Sequence, residues 1–158
     1  MKDCKPISTP MTTGCKLCAD DESPDVDQKL YRSMIGSLLY LTTSRPDIRL
    51  AVRLVARYQS TPKQSHMLAT KRIFIYLKGT TSYGLLYPKG ADFSLTTYID
   101  ADWASCVDDR KSTSDGAFYL GESLVAWLST KQTSVSLSTT KVEYIAVATY
   151  CTQVLWMK

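Results

Sequence analysis

The chain has 158 residues, of which 44% are hydrophobic and 22% are charged. This composition excludes an intrinsically disordered protein and fits one domain, or one small domain with an appendage. No stretch approaches the roughly 20 apolar residues of a membrane span, and the first residues lack a signal-peptide core, so we expect an intracellular protein, cytoplasmic or nuclear, with no membrane partner.

The net charge of +4 hides a segregation of charge along the chain. Residues 30–90 contain ten basic residues and one acidic residue, whereas residues 91–158 contain five basic and eight acidic residues. A basic middle next to an acidic end is typical of a chain that holds a polyanion in one part and gathers cations in another. A solvated surface with uneven charge gives the same counts, so both interpretations stay open.

Residues 1–27 mix proline, glycine, serine and threonine with an acidic run and show no hydrophobic period, so we predict a flexible leader. The five cysteines are an odd number at irregular spacing, which favours reduced thiols. Cys15 and Cys18 have the spacing of a zinc hook, but a structural zinc site needs a second pair of ligands. The single histidine, His66, is interpreted as a surface or interhelix residue because no acidic or cysteine partner sits one turn away.

Three helices are predicted next. Apolar residues recur at helical spacing from residue 28 to residue 43, which predicts an amphipathic helix. A second helix is predicted over about residues 46–58, because a serine N-cap and an early proline precede its apolar face. A third runs from residue 61 to residue 77, with Gly79 as its C-cap.

Basic side chains follow the second and third predicted helices. Arg49, Arg53 and Arg57 are four residues apart and therefore share one ridge of a helix. They would contact successive phosphates if this surface binds nucleic acid. Any exposed helix face offers the same spacing, so an ordinary solvated face is the favoured interpretation. The positive field continues on the third helix with Lys71, Arg72 and Lys78.

After Gly79 the hydrophobic period changes from helical to alternating. Strands are predicted at residues 83–87, 94–103, 112–120 and 123–129, and a long helix begins near Ser138. The last three strands form a meander on which that helix packs. We therefore predict an α+β fold, in which N-terminal helices precede a three-stranded antiparallel meander and one long helix.

Two carboxylates could converge where the last helix packs over the first strand of the meander. Asp100 lies on the strand and Glu143 on the helix, and alternation puts Asp102 on the same strand face as Asp100. Hydrolysis of a phosphodiester by two Mg²⁺ or Mn²⁺ ions about 4 Å apart requires several such carboxylates. Paired acids near a strand end are weak evidence by pattern alone.

Short motifs stand in order along nearly the whole chain. They occupy residues 31–41, 44–48, 71–80, 100–104, 109–114, 131–132 and 143–146. Together they resemble the region that follows the polymerase domain in Pol polyproteins of copia-type LTR retrotransposons, and their sequences are most similar to those of plant elements.

The resemblance implies the C-terminal connection of a reverse transcriptase at residues 28–80, followed by a truncated ribonuclease H-like domain at residues 81–158. It implies that Asp100 and Glu143 are catalytic ligands of Mg²⁺ or Mn²⁺, with Asp102 in the same motif. It also implies an RNA/DNA hybrid as the partner, held by the basic helices through Arg49, Arg53, Arg57, Lys71, Arg72 and Lys78.

The chain also departs from the family. A third metal-binding aspartate and a later fourth residue are absent because the chain ends at Lys158, and Lys141 stands where a glutamate is usual. We therefore expect a catalytically inactive fragment with at most weak nucleic-acid binding. The alternatives are an active ribonuclease H completed by a partner or by downstream residues, and a recruited, effector-like interaction protein. An open edge at the Asp100 strand predicts low stability or self-association.

Overall fold

A computed structural model describes residues 4–90 and 92–158 of the chain. The chain divides into two compact units, unit 1 (Met1–Gly84) and unit 2 (Leu85–Lys158). Across the described residues there are four α-helices and one three-stranded antiparallel sheet. The predicted α+β class and the order of helices before the meander are therefore confirmed.

Unit 1 is built from helices α1 (Gln28–Leu41), α2 (Arg49–Ala56) and α3 (Gln64–Gly79), with a 3₁₀ turn (Pro46–Ile48) leading into α2. The Asp27 carboxylate caps α1 by accepting from the Lys29 and Leu30 amides at 2.8 and 3.2 Å. The buried face of α2 follows the predicted apolar period, whereas Leu30 in α1 and Leu68 in α3, which fit the same period, are exposed. The core consists of Tyr31, Ile35, Leu38, Ile48, Ala51, Val52, Val55, Met67, Ile73 and Tyr76.

The motif at residues 44–48 joins the start of α2 to the end of α3. Arg45 pairs with Asp47 at 2.7 Å and donates to the Thr80 carbonyl at 3.0 Å. The Tyr76 hydroxyl donates to the Asp47 carboxylate at 2.8 Å. Burial acts to raise the pKa of Asp47, but the hydrogen bonds from Arg45 and Tyr76 outweigh it and lower that pKa. The motif therefore forms a polar clamp between two helices.

The described part of the predicted leader, residues 4–27, lies along α3 from its C-terminal to its N-terminal end, and we call it the strap. Hydrogen bonds join the two in that order: Lys78 Nζ to Cys4 O (3.3 Å), Arg72 Nη2 to Thr9 Oγ1 (2.9 Å), His66 Nε2 to Cys18 O (2.9 Å), Ser65 N to Ser23 Oγ (3.2 Å) and Gln64 N to Pro24 O (2.8 Å). Ile7, Met11, Leu17 and Val26 pack against the helical core. Composition alone did not predict this packing.

Unit 2 contains strands β1 (Leu95–Asp102), β2 (Thr113–Leu120) and β3 (Ser123–Lys131), in the order β1-β2-β3, and helix α4 (Thr139–Met157). The Ser138 hydroxyl caps α4 by accepting from the Lys141 amide at 3.3 Å. These elements match the predicted meander and final helix within two residues. Within the described residues β1 pairs with β2 along one side, so β1 is an edge strand.

The predicted strand at residues 83–87 is wrong. These residues form a loop in which the side chains of Leu86 and Tyr87 are exposed. Tyr87 reaches β3 through its side chain, whose hydroxyl donates to the Leu124 carbonyl at 3.0 Å. An alternating apolar run forms a strand only where a neighbouring backbone pairs with it.

Helix α4 packs on β1 and β2 through Val142, Ala146 and Tyr150, which are buried. The Tyr150 hydroxyl donates to the Ser114 carbonyl at 2.7 Å, and its ring meets Phe118 edge-on at 6.0 Å between centroids. Gly116 lies beneath that ring, where a Cβ would come within 2.9 Å of it. The face of the sheet that carries Ser114, Gly116 and Phe118 is therefore the face that α4 covers.

Candidate functional site

Asp100 lies in β1 with an exposed side chain, and its Oδ1 accepts from the Ala101 amide at 2.9 Å. The register pairs Asp100 with Asp115 and pairs Ile99 with Gly116. Since directly paired residues share a face and neighbours along a strand alternate, Asp100 and Asp115 lie on the face opposite to Gly116. Asp100 is thus placed on the sheet face away from the Tyr150 ring.

Glu143 lies in the second turn of α4, directly after buried Val142, and its side chain is exposed. Over residues 4–90 and 92–158 no three His, Cys, Asp or Glu side chains cluster in a way that could hold a metal ion. The donors among these described residues therefore do not fit a two-ion centre. That Asp100 and Glu143 act together stays a prediction.

Asp102 has a local structural role. Its Oδ1 accepts from the backbone amide of Thr113 at 2.5 Å, at the end of the β1–β2 ladder where these two residues are paired. One oxygen of this carboxylate is therefore already used in closing the ladder, as expected for a charged acceptor at a strand end.

The loop after β1 holds an ion-paired cluster that the sequence did not predict. Lys131 at the end of β3 pairs with Asp109 at 2.8 Å and donates to the buried Cys106 sulfur at 3.1 Å. Burial acts to raise the pKa of Asp109, but hydrogen bonds from Lys131, Cys106 and the Lys111 amide outweigh it and lower that pKa well below its usual value. The partners are more than twenty residues apart, and no local pattern signals the contact.

Gln132 joins three elements of unit 2. Its buried side chain donates from Nε2 to Ser114 Oγ at 2.9 Å and to the Val142 carbonyl at 3.1 Å. Its backbone amide donates to the Ser112 carbonyl at 2.8 Å. The motif at residues 131–132 therefore fastens the end of β3 to the start of both β2 and α4.

The six predicted nucleic-acid contacts have different surroundings in unit 1. Arg53 and Lys78 are exposed, and the other four cations are half-buried: Arg49, Arg57, Lys71 and Arg72. Arg57 follows the end of α2 as its C-cap, because α2 ends two residues earlier than predicted. Since Arg72 and Lys78 donate to the strap, the structure gives these two side chains a role within the fold.

His66 is fully buried, so the surface alternative is wrong. Its Nδ1 accepts from the Lys63 amide at 3.0 Å, which leaves the proton on Nε2 to donate to the Cys18 carbonyl at 2.9 Å. The ring stacks on Tyr58 with 4.0 Å between centroids. Because the Tyr58 hydroxyl also donates to the Leu17 carbonyl at 2.8 Å, the two rings hold successive carbonyls of the strap.

None of the described helices combines sufficient length with sufficient apolarity to cross a bilayer. Among the residues that the structure describes, no cysteine forms a disulfide bond: Cys4, Cys15, Cys18, Cys106 and Cys151.

No protein-family model and no solved structure matches this chain. It is 40% identical over 157 residues to the retrovirus-related Pol polyprotein from transposon RE2 of Arabidopsis thaliana, covering 99% of this chain and 11% of the polyprotein. It is 35% identical to an uncharacterized mitochondrial protein of the same plant, covering 65% of that protein. It is 38% identical to secreted RxLR effector protein 161 of Plasmopara viticola, covering 80% of this chain and 90% of the effector.

The chain thus spans 11% of the length of the RE2 polyprotein, while the likeness extends through both of its own units. Similar identity to the Pol polyprotein of transposon RE1 covers 97% of the chain. On this near-complete likeness, the chain belongs to the family of copia-type retrotransposon Pol polyproteins.

Proposed function

We propose that the chain is the C-terminal connection of a reverse transcriptase followed by an incomplete ribonuclease H-like domain. The observation that carries the proposal is the continuous 40% identity to a Pol polyprotein across 99% of the chain. The order of elements supports it, because a helical unit precedes an antiparallel meander with one long helix. An intracellular site of action, cytoplasmic or nuclear, is part of the proposal.

In this proposal unit 1 binds an RNA/DNA hybrid weakly. The part of unit 1 at residues 30–84 contains nine basic residues and one acidic residue, which supply the positive field, and exposed Arg53 is its most accessible contact on α2. Contacts of this kind are made to phosphates, so the affinity falls as salt rises and does not depend on base sequence.

Unit 2, in this proposal, does not cleave the hybrid by itself. Asp100 and Glu143 are the two carboxylates that family resemblance assigns to catalysis, and two carboxylates cannot hold and orient a pair of ions. Asp102 is engaged with the Thr113 amide. Bound Mg²⁺ or Mn²⁺ would activate a water molecule and stabilise the developing charge. Two carboxylates are too few to hold the pair of ions that this chemistry needs.

The test is incubation of the purified chain with a labelled RNA/DNA hybrid and Mn²⁺, alongside Asp100→Asn and the matched control Asp92→Asn. We expect no cleavage above background from any of the three. Robust cleavage that is lost in Asp100→Asn and kept in Asp92→Asn would contradict inactivity. That outcome would favour the alternative, an active ribonuclease H completed by a partner.

Binding is measured separately by fluorescence anisotropy of the same hybrid over a salt series. We expect weak binding whose affinity falls with salt, and a further loss in Arg53→Glu. The control is Lys89→Glu, which makes the same change of charge in the loop before β1. Equal loss in both variants would contradict a specific contribution from α2.

A second candidate function is that of a non-catalytic interaction protein. The observation that favours it is the coverage of 90% of the length of secreted RxLR effector protein 161, against 11% of the RE2 polyprotein. A protein partner that binds the purified chain with micromolar or better affinity, and does so equally after nuclease treatment, would support this candidate. Binding that requires nucleic acid would support the first.

A further inference from the structure

A groove of about 470 Å³ lies between the strap and α3. The strap is hydrogen-bonded to the helix at both ends of this stretch, from Thr9 to Arg72 and from Cys18 to His66. Six residues of helix span about 9 Å, whereas the nine residues from Thr9 to Cys18 would span roughly 30 Å when extended. A hydrogen-bonded turn at residues 12–15 takes up part of the surplus. This stretch of the strap therefore stands away from the helix and leaves the groove between them.

Most of the surface inside the groove is apolar. Met11 and Leu17 line it from the strap, and Leu68 and Ala69 line it from α3. Because Leu68 is 57% exposed, an apolar group that covered it would remove hydrophobic surface from water. Sites for small molecules are concave, mainly apolar and roughly 300–1,000 Å³ in volume. The groove has these properties.

The charges in the groove have one sign. Among the described residues that line it, Lys16 and Arg72 are cations and none is acidic. Arg72 donates from Nη2 to Thr9 Oγ1 at 2.9 Å, but its buried Nε has no hydrogen-bond partner among the described residues. Buried donors are normally paired, and a carboxylate is an acceptor that matches the guanidinium group. The groove is therefore complementary to a negative charge attached to an apolar body.

We propose that the groove binds a small organic monocarboxylate with an apolar body, of the class of a medium-chain fatty acid. Its carboxylate lies between Lys16 and Arg72, and its hydrocarbon covers Leu68 and Met11. A neutral apolar molecule would gain nothing from the two cations, and a small anion such as acetate would leave the apolar wall in water. Affinity therefore requires both parts of the ligand. The site lies within unit 1, and it is independent of the function proposed for the whole chain.

The chemical class is tested by isothermal titration calorimetry of the full chain with three probes: octanoate, 1-octanol and acetate. We expect octanoate to bind at one site with a submillimolar dissociation constant. The affinity for 1-octanol, which has the same hydrocarbon without the charge, should be at least tenfold lower, and acetate should show no saturation. Equal affinities for octanoate and 1-octanol would overturn the proposal, as would the absence of octanoate binding.

The location of the site is tested by substitution. Leu68→Asp places a carboxylate on the apolar wall and should weaken octanoate binding at least tenfold, whereas the control Leu30→Asp makes the same change on α1 at a side chain that is 53% exposed. Lys16→Met should weaken binding roughly fivefold or more, and Lys29→Met should leave it unchanged. All four side chains are exposed, so each variant should keep the circular dichroism of the parent. Unchanged binding in either Leu68→Asp or Lys16→Met would overturn the proposal, because the ligand would then lie outside this groove.

Discussion

Replacing Gly116 with alanine tests how tightly α4 is held on the sheet. The new Cβ would lie 2.9 Å from Cε1 and 3.0 Å from Cδ1 of Tyr150, and real Cβ atoms do not approach a ring carbon so closely. The ring is held at its far end, because its hydroxyl donates to the Ser114 carbonyl at 2.7 Å. Overpacking costs about 1–3 kcal/mol and the loss of glycine freedom returns about 0.4–1 kcal/mol, so we expect a net loss of roughly 1–2 kcal/mol.

The mechanism is tested by a second substitution. Tyr150→Phe removes the hydroxyl that reaches Ser114 and should cost about 0.5–1.5 kcal/mol by itself. If the alanine at residue 116 displaces the ring, that hydrogen bond is already lost in Gly116→Ala. The double variant should then be less destabilised than the sum of the single variants by at least about 0.5 kcal/mol.

Urea unfolding followed by tryptophan fluorescence reports on unit 2 alone, because Trp103, Trp127 and Trp156 all lie there. An unchanged unfolding free energy in Gly116→Ala would refute the close contact. Strictly additive losses in the double variant would refute displacement of the ring.

Two further substitutions test the stability of unit 1, and a change of pH tests the stability of unit 2. Gly36→Ala, inside α1 with open space around the added Cβ, should stabilise unit 1 by about 0.5–1 kcal/mol, and a lower thermal midpoint in circular dichroism would contradict this. Arg45→Lys should lose roughly 1.5–3 kcal/mol in the same assay because a lysine cannot reproduce the paired hydrogen bonds, whereas Arg53→Lys should be near neutral. Since the folded pKa of Asp109 lies below its ordinary value of 3.8, its stabilisation is complete above that value and is lost as the pH falls from 3.8 toward the lower folded pKa. The fluorescence-detected stability of unit 2 should fall in that range, and less so in Lys131→Gln; equal falls would show that the ion pair contributes nothing.

Local rules predicted the elements that local chemistry determines. The start of α4 follows from Ser138, whose hydroxyl caps the helix, and the three strands follow from alternation between turn residues. The same alternation failed at residues 83–87, because pairing depends on a neighbouring strand and not on the segment itself. The strap was also beyond local rules, since its apolar residues are isolated and meet α3 only in three dimensions.

Some residues of the candidate site were predicted from the sequence and others were not, because the contacts of the latter involve residues distant in the chain. Asp100 and Glu143 were found by their resemblance to a motif, but the sheet face on which Asp100 lies depends on register with β2. The pairing of Asp109 with Lys131 and the burial of His66 join residues distant in sequence. A single histidine with no nearby ligand predicts no metal site, and it is equally compatible with a buried side chain that bonds two backbone groups.

The strap has a consequence for the order in which unit 1 folds. Its contacts with α3 join residues separated by 48 positions at His66 and by 74 positions at Lys78. During synthesis the strap leaves the ribosome before α3, and it cannot pack until α3 follows. Because non-local contacts close late and slowly, the helices should assemble first and the strap should dock last. A segment that is synthesised before the helices would then reach its native place after them.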